Sequence, residues 1–270
     1  MMDQSPNVTD PASLRDYYTG LSISDAYFDN SMSISRWAVN QSWSALGRPV
    51  DRNEWGMTPP TVNAYYNPAG NEIVFPAGIM QYPAFGGELP QYMNYGAFGA
   101  VAGHELSHAF DNNGKNYDPS GNFTDVPWWT NKTLQAFETR AECFVNEYSN
   151  FTASGVNGTT LHVNGRQTLG ENIADAGGLS ASFSAWQQRR QDYPDLDLPG
   201  LDDFSQEQLF YISFGNFWCS KYTPNALTSR IRTDEHSPDW ARIMGPAMMN
   251  SRGFRDAFSC PAKEPVCELW

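Results

Sequence analysis

The chain has 270 residues, of which 40% are hydrophobic and 14% aromatic, so it can bury a sizeable core and is not a disordered chain. Its 30 acidic side chains outnumber 17 lysines and arginines, and the resulting net charge of −13 and pI of about 4.6 exclude nucleic acid and anionic lipid as partners. Basic residues do not cluster beyond Arg189–Arg190, and no apolar run approaches the roughly 20 residues that cross a bilayer, so no membrane segment is expected in this chain.

Asp10 and Pro11 followed by Gly20 predict a short capped helix. Ile23, Tyr27, Phe28, Ile34 and Trp37 recur at near-helical spacing and extend a second helix towards Gly47, after which residues 47–60 are loop. The β-prone runs 61–66 and 72–75 flank a turn-rich tetrapeptide and predict a hairpin. Residues from about 95 to 111 read as a helix, and so do residues from about 130 to 148. Asn164–Gly165, between residues 161–163 and 166–168, is a type I′ hairpin signal. Helices follow over 169–190 and 205–218, the second opened by a Ser205–Gln208 capping box. The pattern is α+β and mainly helical, with no linker that divides it, and a single domain over residues 1–270 is expected.

His104, Glu105 and His108 form an H-E-x-x-H motif. Residues i and i+4 share a helix face, so both imidazoles can reach one metal ion. Glu105 stands beside them without pointing at the ion, the position of a general base. A catalytic zinc takes three protein ligands and leaves a fourth position open. Only four histidines exist, and Asp111 and Gly114 occupy the places where a metzincin continues with Gly and His. The third ligand is therefore sought on another helix, where Glu171 and Asp175 lie one turn apart among small apolar residues. Two carboxylates on such a face need partners: zinc for Glu171 and a ring N–H for Asp175. Asp111 can serve the other histidine. His162 reads as an exposed strand histidine.

At these residues the chain resembles the neprilysin family, which includes the endothelin-converting enzymes. The matching strings are VNAYY at Val62–Tyr66, IVFPAGI at Ile73–Ile79, NYG at Asn94–Gly96 and GHELSHAFD at Gly103–Asp111. Further matches are TLGENIAD at Thr168–Asp175, GGL at Gly177–Leu179, Trp218–Cys219, TDEHSP at Thr233–Pro238 with Arg242, and CELW at Cys267–Trp270. The resemblance implies a thermolysin-like zinc metallopeptidase catalytic domain with a small antiparallel edge-strand sheet. It implies one zinc ion held by His104, His108 and Glu171, with Glu105 as base and Asp111 and Asp175 orienting the ligand rings. It further implies His236 as donor to the oxyanion and Arg242 as the grip on a substrate carbonyl. Asn63 and the backbone of Ala64 would take an extended peptide, by β-augmentation. Ile79, Val101, Phe217 and Trp218 match the family's specificity pocket.

The expected reaction is hydrolysis of oligopeptides on the amino side of large hydrophobic residues, by Glu-assisted attack of a zinc-activated water. The rival expectation is a fragment that binds zinc and peptides with little turnover. Family members are longer, with an N-terminal helical half that closes over the cleft and is not found in this chain.

No secretion signal is visible in residues 1–10. Six Asn-x-Ser/Thr sequons, at Asn7, Asn40, Asn122, Asn131, Asn150 and Asn157, nevertheless point to an extracellular or secretory-pathway protein. The four cysteines have no C-x-x-C spacing, and disulfides with three possible pairings are expected from the sequence. The resemblance implies Cys143 with Cys267, and leaves Cys219 and Cys260 free, joined to each other, or bonded to the missing half.

Overall fold

The structure, a computed structural model, describes residues 8–125, 128–261, 264 and 266–269. The sequons at Asn40, Asn122, Asn131, Asn150 and Asn157 are all exposed; the one at Asn7 lies outside the described residues, as does Trp270. The chain divides into two compact units between Thr58 and Pro59.

The first unit holds α1 (Pro11–Tyr17) and α2 (Tyr27–Ser44). Asp10 caps α1 by accepting from the backbone N–H of Ala12 and Ser13, and Gly20 supplies a left-handed turn at φ 86°. Ile23 precedes α2 rather than belonging to it. Tyr17 and Tyr18 pack their rings on Trp37, at 5.3 and 5.4 Å.

The second unit opens with a two-stranded antiparallel sheet, β1 (Tyr65–Asn67) and β2 (Glu72–Val74), in the register Tyr65–Val74. Its first strand is shorter than the sequence predicts. Asn63 turns its Oδ1 onto the N–H of Ala64, at 3.0 Å, and both residues stand ahead of the strand. A short α3 (Gln91–Asn94), a π-helical turn (Tyr95–Gly99) and α4 (Ala100–His108) follow without a break. The wide turn is pinned by Ser182 Oγ, which donates to the Tyr95 carbonyl at 2.6 Å.

Next come α5 (Asn131–Ser149), capped by Thr130, and a second hairpin of β3 (Thr152–Ser154) and β4 (Thr160–His162). His162 is exposed on β4. Here the predicted hairpin at Asn164–Gly165 is wrong. The Asn164 side chain instead accepts from the N–H of Arg166 and Gln167, and Thr168 N–H bonds to the Asn164 carbonyl. The turn feeds α6 (Leu169–Asp192), and Gly165 lies so close to α5 that an added Cβ would collide with the Val145 carbonyl. The remaining helices are α7 (Gln206–Phe217), α8 (Pro224–Thr233), α9 (Asp239–Ile243) and α10 (Arg252–Ala257). The capping box of α7 is present as predicted, with Ser205 and Gln208 each bonding the other's backbone N–H. The result is mainly helical with two small antiparallel sheets.

One core of Phe144, Tyr148 and Ile173 joins α5 to α6, and a second of Tyr92, Trp186 and Phe210 joins α3, α6 and α7. Helices α4 and α6 meet backbone to backbone. A Cβ on Gly103 would stand 2.6 Å from the Gly178 carbonyl oxygen, and one on Gly178 would stand 2.4 Å from His104 N. Backbone cannot move aside as a side-chain tip does. Gly178→Ala is expected to lower stability by about 1–3 kcal/mol, the usual range for an overpacked contact, and to weaken zinc retention. Thermal unfolding and chelator competition would measure the two effects, and unchanged zinc retention would contradict this account.

Candidate active site

Helix α4 presents His104, Glu105 and His108, and α6 brings Glu171 and Asp175 opposite them. The ring Nε2 atoms of His104 and His108 lie 3.0 Å apart. Glu171 Oε2 is 3.2 Å from the first and 3.5 Å from the second. Donors arranged tetrahedrally at zinc bond lengths of roughly 2.0–2.1 Å stand ~3.3 Å from one another. The three predicted ligands therefore already have the spacing of a zinc site.

The hydrogen-bond partners of the two rings point the same way. His104 Nδ1 bonds Asp175 Oδ1 at 2.8 Å, and His108 Nδ1 bonds Asp111 Oδ2 at 2.7 Å. A neutral ring that donates through Nδ1 turns a lone pair outward at Nε2, so two lone pairs meet a carboxylate oxygen. Glu171 Oε2 is buried and receives no hydrogen bond of good geometry. A cation resolves this convergence of acceptors. Without one, protons take its place: burial opposes charging His108, but the carboxylates of Asp111 and Glu171 outweigh it and the ring is pushed up to about 10. Burial likewise opposes ionising Glu171, yet His104, His108 and His236 together hold its carboxyl below the usual range.

Asp111 is fixed by the N–H groups of Asn113 and Gly114, which its Oδ1 accepts at 2.6 and 2.7 Å. Asp175 accepts two bonds from Arg242, at 2.8 and 2.7 Å, and the guanidinium lies 3.9 Å from the centre of the Trp218 ring. Arg242 is thus buried in an ion pair with Asp175, whose other partner is His104. Glu105 is buried beside the two rings. Burial raises its carboxyl above the ordinary value, against the pull of His104 and His108.

His236 enters from the turn before α9 with Nε2 3.1 Å from Glu171 Oε2. Asp234 accepts from its Nδ1 at 2.9 Å and from its backbone N–H at 2.9 Å. Burial opposes protonating this ring, Glu171 and Asp234 favour it, and the net shift is upward. Asp234 carries no role in the sequence reading, nor does Arg230, whose Nε lies 3.5 Å from Asp234. The sequence signal for Asp234 is its place in the TDEHSP string, an acidic residue two positions before a histidine.

Ile79, Val101 and Ala64 share one buried apolar cluster, with Phe217 packed against it. Trp218 belongs to a different cluster and lies under Arg242. Asn63 is exposed.

The sequence pattern of Peptidase family M13 matches residues 63–268, which is more than half of the chain and includes every residue above. The chain belongs to peptidase family M13. It is 45% identical over 270 residues to an endothelin-converting enzyme homolog of Locusta migratoria, covering 97% of this chain and 36% of that protein. With human endothelin-converting enzyme 1 it shares 42% over 273 residues, covering 98% and 34%. Its structure superimposes on the zinc metalloprotease Zmp1 of Mycobacterium tuberculosis, crystallised with an inhibitor, with a TM-score of 0.82 at 36% identity. That match covers 90% of this chain and 37% of the other. The chain thus spans about a third of the length of these M13 relatives.

Exchange of Asp111 for Asn would set an amide against His108 Nδ1 and favour the wrong ring tautomer. Asp111→Asn is expected to weaken zinc binding about 10–100-fold, the usual loss on removing a carboxylate behind a ligating histidine. Competition with a chromogenic chelator reads this directly, and an unchanged affinity would rule the role out.

Proposed function

We propose that the chain is the catalytic portion of a zinc-dependent endopeptidase that hydrolyses oligopeptides, on the amino side of large hydrophobic residues. The observation that carries it is the triangle of His104, His108 and Glu171 donors at 3.0, 3.2 and 3.5 Å, with Glu105 beside it. Bound zinc supplies Lewis-acid polarisation of the scissile carbonyl and makes water acidic enough to attack near neutral pH.

The protein's own groups do the rest. Glu105, buried with a raised proton affinity, takes the proton of the attacking water and passes it to the leaving amine nitrogen. His236 donates from Nε2 to the oxyanion, its Nδ1 held by Asp234. Asp175 and Asp111 keep the ligand rings in their Nδ1–H form. Asn63 and the Ala64 backbone receive the extended substrate, Arg242 reaches a substrate carbonyl from its anchor on Asp175, and the pocket draws on Ile79, Val101, Phe217 and Trp218. Base, oxyanion donor and ligands are all present, which favours turnover over binding alone.

The catalytic domain is taken as residues 1–270, acting extracellularly or in the secretory pathway. The Cys143–Cys267 disulfide and the exposed sequons support that location. No helix among the described residues is long and apolar enough to cross a membrane. Cys219 and Cys260 are exposed and not bonded to each other, which suits them to bridges with a further portion of the protein.

Glu105→Gln is expected to keep stoichiometric zinc and to lose activity on a fluorogenic peptide by about 10²–10⁴-fold. A variant with half the parent rate would refute Glu105 as base, and a parent chain that cuts no peptide with zinc bound would refute the endopeptidase reading.

A further inference from the structure

His236 reaches Glu171 from a turn that belongs to neither metal-bearing helix. The turn, residues 234–237, runs from the end of α8 at Thr233 towards the start of α9 at Asp239. Asp234 holds the ring at Nδ1 and also accepts the His236 backbone N–H. Both bonds are internal to the turn. They fix how the ring lies within it, but not where the turn sits against α6.

Two hydrogen bonds from the start of α6 supply that second constraint. Gln167, two residues ahead of the helix, donates from Nε2 to the Asp234 carbonyl at 2.7 Å. Asn172, next to Glu171, accepts the Ser237 hydroxyl on its Oδ1 at 2.7 Å. The two bonds take hold of the first and last residues of the turn, with His236 between them. The Asn172 amide is itself fixed, because its Nδ2 donates to Thr168 Oγ1 at 2.8 Å and that hydroxyl donates to the Asn164 carbonyl at 3.2 Å. Asn172 and Ser237 are both 0% exposed. Buried polar groups in such a chain make the arrangement rigid, since each is costly to leave unpaired.

We propose that Gln167 and the Asn172–Ser237 pair are positioning residues, which clamp the His236 turn onto the helix that carries Glu171 and so place His236 Nε2 for the reaction. They act through the turn, and His236 does the donating. An oxyanion donor contributes only within hydrogen-bond reach of the developing charge, and a displacement of about 1 Å can cost about 10²-fold in rate. The catalytic half of this inference rests on His236 as oxyanion donor, as proposed above; the clamp itself does not.

The test uses the full chain loaded with zinc. Gln167→Ala and Ser237→Ala are compared with the parent, each alone and each combined with His236→Ala. Cleavage of a fluorogenic peptide, metal content and hydrogen exchange of residues 232–240 are measured. Each single variant is expected to keep its zinc and its KM and to lose about tenfold in kcat. Its turn should exchange about tenfold faster, as for one lost hydrogen bond. In the His236→Ala background the same substitutions should cost less than about twofold, because no ring is left to position. An undiminished loss in that background overturns the positioning role, since a merely structural defect would add. Unchanged exchange in the turn overturns the clamp, even in a chain that cleaves nothing. His236→Ala cutting at the parent rate overturns the oxyanion role and the catalytic half with it, and exchange still decides the clamp. Gln167 is exposed, so its variant decides the matter even where the buried Ser237→Ala does not fold.

Discussion

The metal centre depends on two helices being able to touch main chain to main chain, at Gly103 of α4 and Gly178 of α6. Helices with ordinary side chains at their contact pack with axes about 8–10 Å apart. Zinc tolerates donor distances only within about 0.2 Å, so a helix pair forced outward by one methyl group could not present His104 and Glu171 to the same ion. Gly103 is adjacent to His104 itself, and Gly178, seven positions after Glu171 on α6, packs against the His104 backbone. Close approach there sets the distance at which an acid on one helix meets two imidazoles on the other.

Around this contact the charges are arranged in matched layers. Three histidines converge on Glu171, and each has its Nδ1 held by a different aspartate: Asp175, Asp111 and Asp234. The two buried ones are tolerable only because each is answered, Asp175 by a two-point contact with Arg242 and Asp111 by two backbone N–H groups. Removing one partner would leave a charge in a poorly solvating interior, so the stability of the region and its readiness for metal are coupled.

Much of this was legible in the residues. The i, i+4 spacing of His104 and His108 and of Glu171 and Asp175 is a local property of helices, and the Ser205 capping box is equally local. What escaped was set by tertiary contact. Asn164–Gly165 has the composition of a hairpin, but Gly165 is pressed against α5 and the following residues are taken up by α6. The π-helical turn at Tyr95–Gly99 depends on Ser182, 87 positions later. Asp234 and Arg230 act from a turn and a helix end, where no periodicity marks them. Ile79 and Val101 are as consistent with core as with a pocket wall, because burial alone does not tell the two apart.

The bridge between Cys143 and Cys267 closes a loop spanning 124 positions. Glu171, Asp175, Asp234, His236 and Arg242 all lie inside that loop, while His104, Glu105 and His108 lie outside it. Oxidation therefore shrinks the conformational freedom of one half of the donor set in the unfolded chain and leaves the other half untouched. Assembly of the metal site becomes the docking of a pre-tethered ring onto a separate hairpin-and-helix segment, and an oxidising compartment favours that step before any ion arrives.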